Sequence, residues 1–303
     1  MIKPLIAVSA LSLAMAGAVG SVYAADVGQA PAKKIVVFYP GSSGMEWILT
    51  GTEHGGAKAI KRGEPCTGCH VDEKSGMNES AEIGAKILSG EKSKNTALEP
   101  DPIKGKPGSI PVSVQASHDA DNLYLRFTWK NTNFNSGNKM DPDNPLKLAV
   151  MLEEIGKVEL DSTGGCWATC HNDVRTMPGV KDDKKTKYVK DGNLAAGKFF
   201  DLFQFRSGSG QKMVDGHIAD KRVMEGGKAL QEAKGELSGD TWTVNFTRKL
   251  KGGDGDVTLQ PGKEYNFGFA IHDDHTVGRY HYVSFGYTLG LANAGASINA
   301  VKQ

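Results

Sequence analysis

From residue 110 onward, apolar and polar positions alternate through much of this chain. Ile110, Val112, Val114 and Ala116 are interleaved with Pro111, Ser113 and Gln115. The pattern breaks at 118–122 and resumes through Leu123, Leu125, Phe127 and Trp129. A period of two predicts half-buried strands, and two such runs around a short polar break predict a hairpin. The same reasoning places strands over 146–152, 199–206, 242–247, 265–271 and 281–289, separated by turns rich in Asp, Gly and Lys. Many short alternating strands point to a mainly β protein, an antiparallel β-sandwich or barrel. Before residue 108 the pattern differs. Residues 34–39 read as a short strand stopped by Pro40, and 46–62 as a helix weakened by Gly51, Gly55 and Gly56. A further helix is predicted over 80–88, with Ser80 as its N-cap. Pro100, Pro102 and Pro107 mark a linker, which divides an N-terminal segment with short helices (25–105) from the β-sandwich domain (106–303).

The first residues form a separate unit. Lys3 precedes an apolar run of small residues over 4–20, and Ser21-Val22-Tyr23-Ala24 follows. This is the layout of a secretory signal peptide over 1–24, cut after Ala24, and it implies export to the periplasm. A membrane anchor is the competing reading, weakened by Gly17 and Gly20 and by the lack of a polybasic flank. No later segment approaches the roughly 20 apolar residues that a membrane span needs. Lys and Arg number 36 against 35 Asp and Glu, a formal charge of +1. That balance gives no support to nucleic-acid binding, which favours clustered positive charge.

The chemistry lies in the cysteines. All four fall in two short stretches, Cys66-Thr67-Gly68-Cys69-His70 and Cys166-Trp167-Ala168-Thr169-Cys170-His171. Two cysteines two apart with histidine directly after form the attachment signature of haem c. Each thiol can form a thioether to a haem vinyl group, which sets the adjacent imidazole under the iron. The second stretch carries one extra residue between its cysteines. Two disulfides or a shared zinc would also use four cysteines, but neither calls for a histidine after each pair. A local Cys166–Cys170 disulfide is the rival at the second stretch, and a redox dithiol lacks its usual βαβ surroundings. The reading is therefore two haem c groups, held by Cys66 and Cys69 and by Cys166 and Cys170, with His70 and His171 as proximal ligands.

An iron that only passes electrons needs a second axial ligand. For the first haem the candidates are His54, which a short helix can fold over the ring, then His118 at the hairpin tip, then Met77. For the second, His281 alternates onto one strand face with Val283, Phe285 and Tyr287, where a polar ring needs a partner. His217 and His272 are its rivals.

Residues 110–129, 165–178 (GCWATCHNDVRTMP), 200–216 and 267–290 (FGFAIHDDHTVGRYHYVSFGYTLG) carry a resemblance. They are similar to the haem-binding domain of the ethylbenzene dehydrogenase and dimethylsulfide dehydrogenase gamma subunits, in its c-type cytochrome branch. The resemblance spans most of 106–290 and leaves out the first haem stretch. It implies a β-sandwich that in the gamma subunits holds one haem b between methionine and lysine. Here Cys166, Cys170 and His171 occupy the methionine loop, and His281 stands where the lysine is expected, which implies covalent haem with two histidine ligands. The expected function is a periplasmic dihaem cytochrome c that passes electrons between redox protein partners, a molybdenum oxidoreductase among them. The alternative is a haem enzyme, peroxidase-like or nitrite-reductase-like, with one open iron position.

Overall fold

The computed structural model describes residues 26–41, 45–50, 54–71, 80–90, 92–93, 96–97, 99, 102–134, 141–171, 188–210, 213–276 and 280–303. The signal stretch and Met77 lie outside these residues. Before the linker come β1 (Lys33–Phe38), α1 (Met45–Thr50), α2 (Ala57–Lys61), α3 (Thr67–His70), α4 (Ser80–Leu88), and the two-residue strands β2 (Lys92–Ser93) and β3 (Thr96–Ala97). After it come β4 (Ser109–His118), β5 (Asn122–Lys130), β6 (Lys147–Glu154), α5 (Asp161–Cys170), β7 (Phe200–Arg206), β8 (Met213–Ile218) and β9 (Arg222–Val223). The chain closes with β10 (Leu230–Ser238), β11 (Thr241–Lys249), β12 (Glu264–His272), β13 (Tyr282–Val283), β14 (Tyr287–Leu291) and β15 (Ile298–Lys302).

Among the described residues one large sheet runs β10-β11-β5-β4-β1-β13-β12-β6-β7-β8-β9. Its two halves are joined a second time, because β14 pairs with β12 and with β15, and β15 pairs in parallel with β4. The sheet thus folds over into two leaves, one built on β4, β5, β10 and β11, the other on β6, β7, β8 and β12. Alternation explains the core between them. Val114, Phe127 and Val244 lie in register on three neighbouring strands and are all buried. Across the gap Phe127 meets Phe269 at 5.1 Å, and Phe246 meets Phe203 at 5.2 Å, ring centroid to centroid. Edge-to-face contacts of this kind suit aromatic rings better than face-to-face stacking. Six of the nine residues of β12 are buried, more than in a half-solvated strand, because α5 packs against it.

Several elements depart from the predicted pattern. Residues 46–62 form two short helices, α1 and α2, and a turn at Gly55-Gly56 precedes α2. The strand predicted over 281–289 divides into β13 and β14 around 284–286. Backbone packing explains that break: a Cβ on Gly286 would lie 2.8 Å from Gly165 Cα, so the chain bends where it meets α5. The second cysteine stretch, read as a loop, lies on α5, whose helical course is broken at Gly165 with φ at +62°, a conformation natural to glycine. β1 is a full partner of the sheet, paired with β4 and β13, and so ties the N-terminal segment into the sandwich. α4 packs beside it, close enough that a Cβ on Gly84 would collide with the Gly108 carbonyl. No helix among the described residues is long and apolar enough to cross a membrane.

Candidate functional site

The first cysteine stretch closes one helical turn. His70 N–H donates to the Cys66 carbonyl at 3.0 Å and Val71 N–H to the Thr67 carbonyl at 3.1 Å. Positions three and four apart share a helix face, so Cys66, Cys69 and His70 project the same way. They face a cavity of about 400 Å³ whose wall includes Phe38, Ile48, Ile60, Ile87 and Phe285. Cys66 and Cys69 are not paired in a disulfide. Burial pushes the Cys66 thiol up to about 11.

His54 also lines the cavity, its ring centroid 6.1 Å from that of His70. Two imidazoles on opposite sides of one metal, each with a metal–nitrogen bond of about 2.0–2.1 Å, place their centroids about 6–6.5 Å apart. The observed separation matches. Burial, and then the neighbouring His70, lower the pKa of His54, which favours the neutral imidazole that ligates metals. Its Nδ1 is sealed from water and finds no hydrogen-bond partner, a cost in an apolar wall unless something else completes the site.

The second stretch is placed by α5. Cys166 and Cys170 are four residues apart on it, and His171 N–H caps its end on the Trp167 carbonyl at 2.8 Å. The His171 ring stacks on Trp167 at 5.8 Å and faces His281 at 5.9 Å, nearly the spacing of the His54–His70 pair. His281 sits just ahead of β13, at the edge of the strand predicted to hold it. His272, at the end of β12, stacks on His281 at 4.6 Å. Burial, then His281 and Lys147, push the His272 imidazole far below its ordinary range. Close by, the ammonium of Lys106 is buried against Asp273 at 3.3 Å and lies 4.2 Å above the Tyr282 ring.

The two places share a wall that the sequence reading did not identify. Phe285 stacks on His70 at 5.7 Å, Phe38 lies 4.8 Å from Phe285, and Trp167 lies 6.4 Å from Phe38. Trp167 then stacks on His171. An unbroken run of rings thus joins one motif histidine to the other, and the backbones are tied as well: Cys66 N–H donates to the Thr163 carbonyl at 2.8 Å, and Met45 N–H donates to the His171 carbonyl. The aromatic inside the second stretch was the available signal for Trp167. Phe38 is brought there by the β1–β13 pairing, in register with Val283, which a single-strand reading does not contain.

The remaining histidines lie elsewhere. His118 is buried at the far end of β4, paired with Leu123 and Lys302, with its Nδ1 2.9 Å from the Asp119 carbonyl; it does not line the cavity. His217 on β8 is held against Gly255, and His275 Nδ1 lies 2.6 Å from the Asp141 carbonyl.

The chain matches the ethylbenzene dehydrogenase family over residues 85–236 and 215–284. It is 55% identical over 300 residues to cytochrome c-552 of Stutzerimonas stutzeri, covering 95% of this chain and 98% of that protein. It is 38% identical over 281 residues to cytochrome c-551 of Rhodocyclus tenuis, covering 92% of this chain and all of that one. Among solved structures, a family 9 carbohydrate binding module from Caldicellulosiruptor kristjanssonii in complex with cellotriose covers 58% of this chain and 65% of its own, at 11% identity and a TM-score of 0.31. That likeness is too slight to bear on function.

Proposed function

Because the chain belongs to the ethylbenzene dehydrogenase family, in its c-type cytochrome branch, we propose that it is a periplasmic dihaem cytochrome c that carries electrons between redox protein partners. The observation that carries this reading is the pair of facing histidines repeated at each cysteine stretch, His70 with His54 and His171 with His281. Covalently bound haem would supply one-electron chemistry at each place, while the protein supplies its surroundings. Cys66 and Cys69 would anchor the first group and Cys166 and Cys170 the second. Positions four apart on a helix share a face much as positions three apart do, so the added residue in the second stretch is compatible with attachment.

The side chains around the first place do three things. His70 and His54 would hold the iron of a bound haem, as their facing rings suit. Ile48, Ile60, Ile87 and Phe285 keep water off the ring. The Phe285–Phe38–Trp167 run keeps the two ligand sets close and rigidly spaced, as a carrier that both accepts and donates electrons requires. His272, stacked on His281, would hold that imidazole in place. The gamma-subunit resemblance names a molybdenum oxidoreductase as the class of partner to try first.

The direct test is the mass of the mature chain expressed with a cytochrome c maturation system. The expected result is the added mass of two haems, retained through acid-acetone extraction, on a chain that begins after Ala24. One haem together with a Cys166–Cys170 disulfide would overturn the dihaem reading.

A further inference from the structure

A group of buried charges on the β7–β8 side of the sandwich has no part in the sites above. Asp201 on β7, Asp215 on β8 and Asp256 in the β11–β12 connection each bring a carboxylate oxygen to within 4.8 Å of the other two. Arg248 on β11 is the cation among them: its Nη2 donates to Asp201 Oδ2 and to the Val257 carbonyl. The other oxygens on that side are satisfied by backbone. Val257 N–H donates to Asp201 Oδ2, Leu230 N–H to Asp215 Oδ2, and Gly253 and Lys228 N–H to Asp256 Oδ2.

The Oδ1 oxygens are another matter. Those of Asp201, Asp215 and Asp256 are all sealed from solvent and accept no hydrogen bond. Asp201 is 0% exposed and Asp256 is 6% exposed. An ionised carboxylate oxygen buried without a partner is unfavourable, and three at one point compound the cost through mutual repulsion. Three carboxylates against one guanidinium leave two net negative charges in the interior. Burial accordingly raises the pKa of both Asp201 and Asp215.

We propose that Asp201, Asp215 and Asp256 bind one calcium ion. The donors are all hard oxygens, the choice of calcium over softer metals. Ligands on opposite sides of calcium, at about 2.3–2.6 Å each, lie about 5 Å apart, a span that holds all three oxygens. A divalent ion also cancels the net charge. Asp215 is only half-buried and Asp256 lines an open surface cleft, so the sealed oxygens lie close beneath the surface. Its role would be structural. β7 and β11 belong to different leaves and are not paired with each other, so an ion held at this point fastens the leaves where no backbone ladder does.

The competing occupant is a buried water bridging these oxygens to Arg248 Nε, which also lacks a partner. The holoprotein is stripped with a chelator, desalted and titrated with calcium chloride, with heat of binding and thermal unfolding both followed. The expected result is one calcium per chain and an unfolding midpoint that rises with calcium. Asp215→Asn, at the half-exposed mouth, should weaken binding at least about tenfold, as loss of a charged ligand does. Asp256→Asn should remove the rise in midpoint. Absence of calcium from the untreated protein, together with no heat and no shift on titration, overturns the proposal; so does binding that both variants retain. An unchanged haem spectrum throughout keeps this result separate from that on electron transfer.

Discussion

His54 and His118 show how much a single histidine's surroundings decide. Both were candidates for the same iron. Each has one buried ring nitrogen without a partner, but His54 faces His70 across an apolar cavity, whereas His118 lies at the far end of β4 and does not line that cavity. His54→Ala should therefore open one iron to carbon monoxide and give a high-spin signal, while His118→Ala should leave the absorption spectrum unchanged. If the two variants behaved the other way round, the assignment of His54 would be wrong. Asp141, near the second site, sets an acid limit on stability. Burial works against its charge, but Lys147 at 2.6 Å, Asn144 and the Asp143 N–H outweigh that and hold its carboxyl well below the usual range. A depressed folded pKa gives stability that is present above the unfolded value of about 4 and is lost as pH falls below it. Thermal midpoints followed from about pH 6 to about pH 3 should fall less steeply for Asp141→Asn than for the parent.

Among the elements, the contact of α5 with the β13–β14 bend does the most to place the second site. Gly165 and Gly286 meet backbone to backbone, with no room for a methyl group. Gly286→Ala should destabilise the protein by about 1–3 kcal/mol, as overpacking typically does, measurable by denaturant unfolding. A variant as stable as the parent would show that the close approach is not needed. This contact also marks what the sequence did not disclose. Period-two alternation located β4, β5 and β11 to within a few residues, because each buries mainly one face, and runs dense in large apolar residues located β7 and β12, which are buried on both. β10 escaped notice since it is an edge strand, Leu-Gln-Glu-Ala-Lys-Gly-Glu-Leu-Ser, with little apolar signal. α5 read as a loop because Gly164-Gly165 argue against a helix locally, and only the neighbouring backbone of 285–286 explains them. The cysteine stretches were legible for a different reason: their chemistry depends on spacing along the chain. The facing of His171 by His281 was anticipated through alternation and resemblance. The aromatic wall between the sites depends on long-range pairing and was not.

For the whole molecule, the account rests on two equivalent places in one folded sandwich, joined by the run of rings from His70 to His171. At each place two imidazole rings face each other about 6 Å apart, and the walls of the first cavity are mostly apolar. On the proposed ligation, that arrangement suits a carrier. The ethylbenzene dehydrogenase family and the two cytochrome relatives are consistent with the same conclusion. The most direct measurement is electron paramagnetic resonance of the oxidised holoprotein, followed by exposure of the reduced protein to carbon monoxide. The account predicts two low-spin ferric signals, no high-spin component and no carbon monoxide adduct. A high-spin iron, or carbon monoxide bound at either haem, would contradict it.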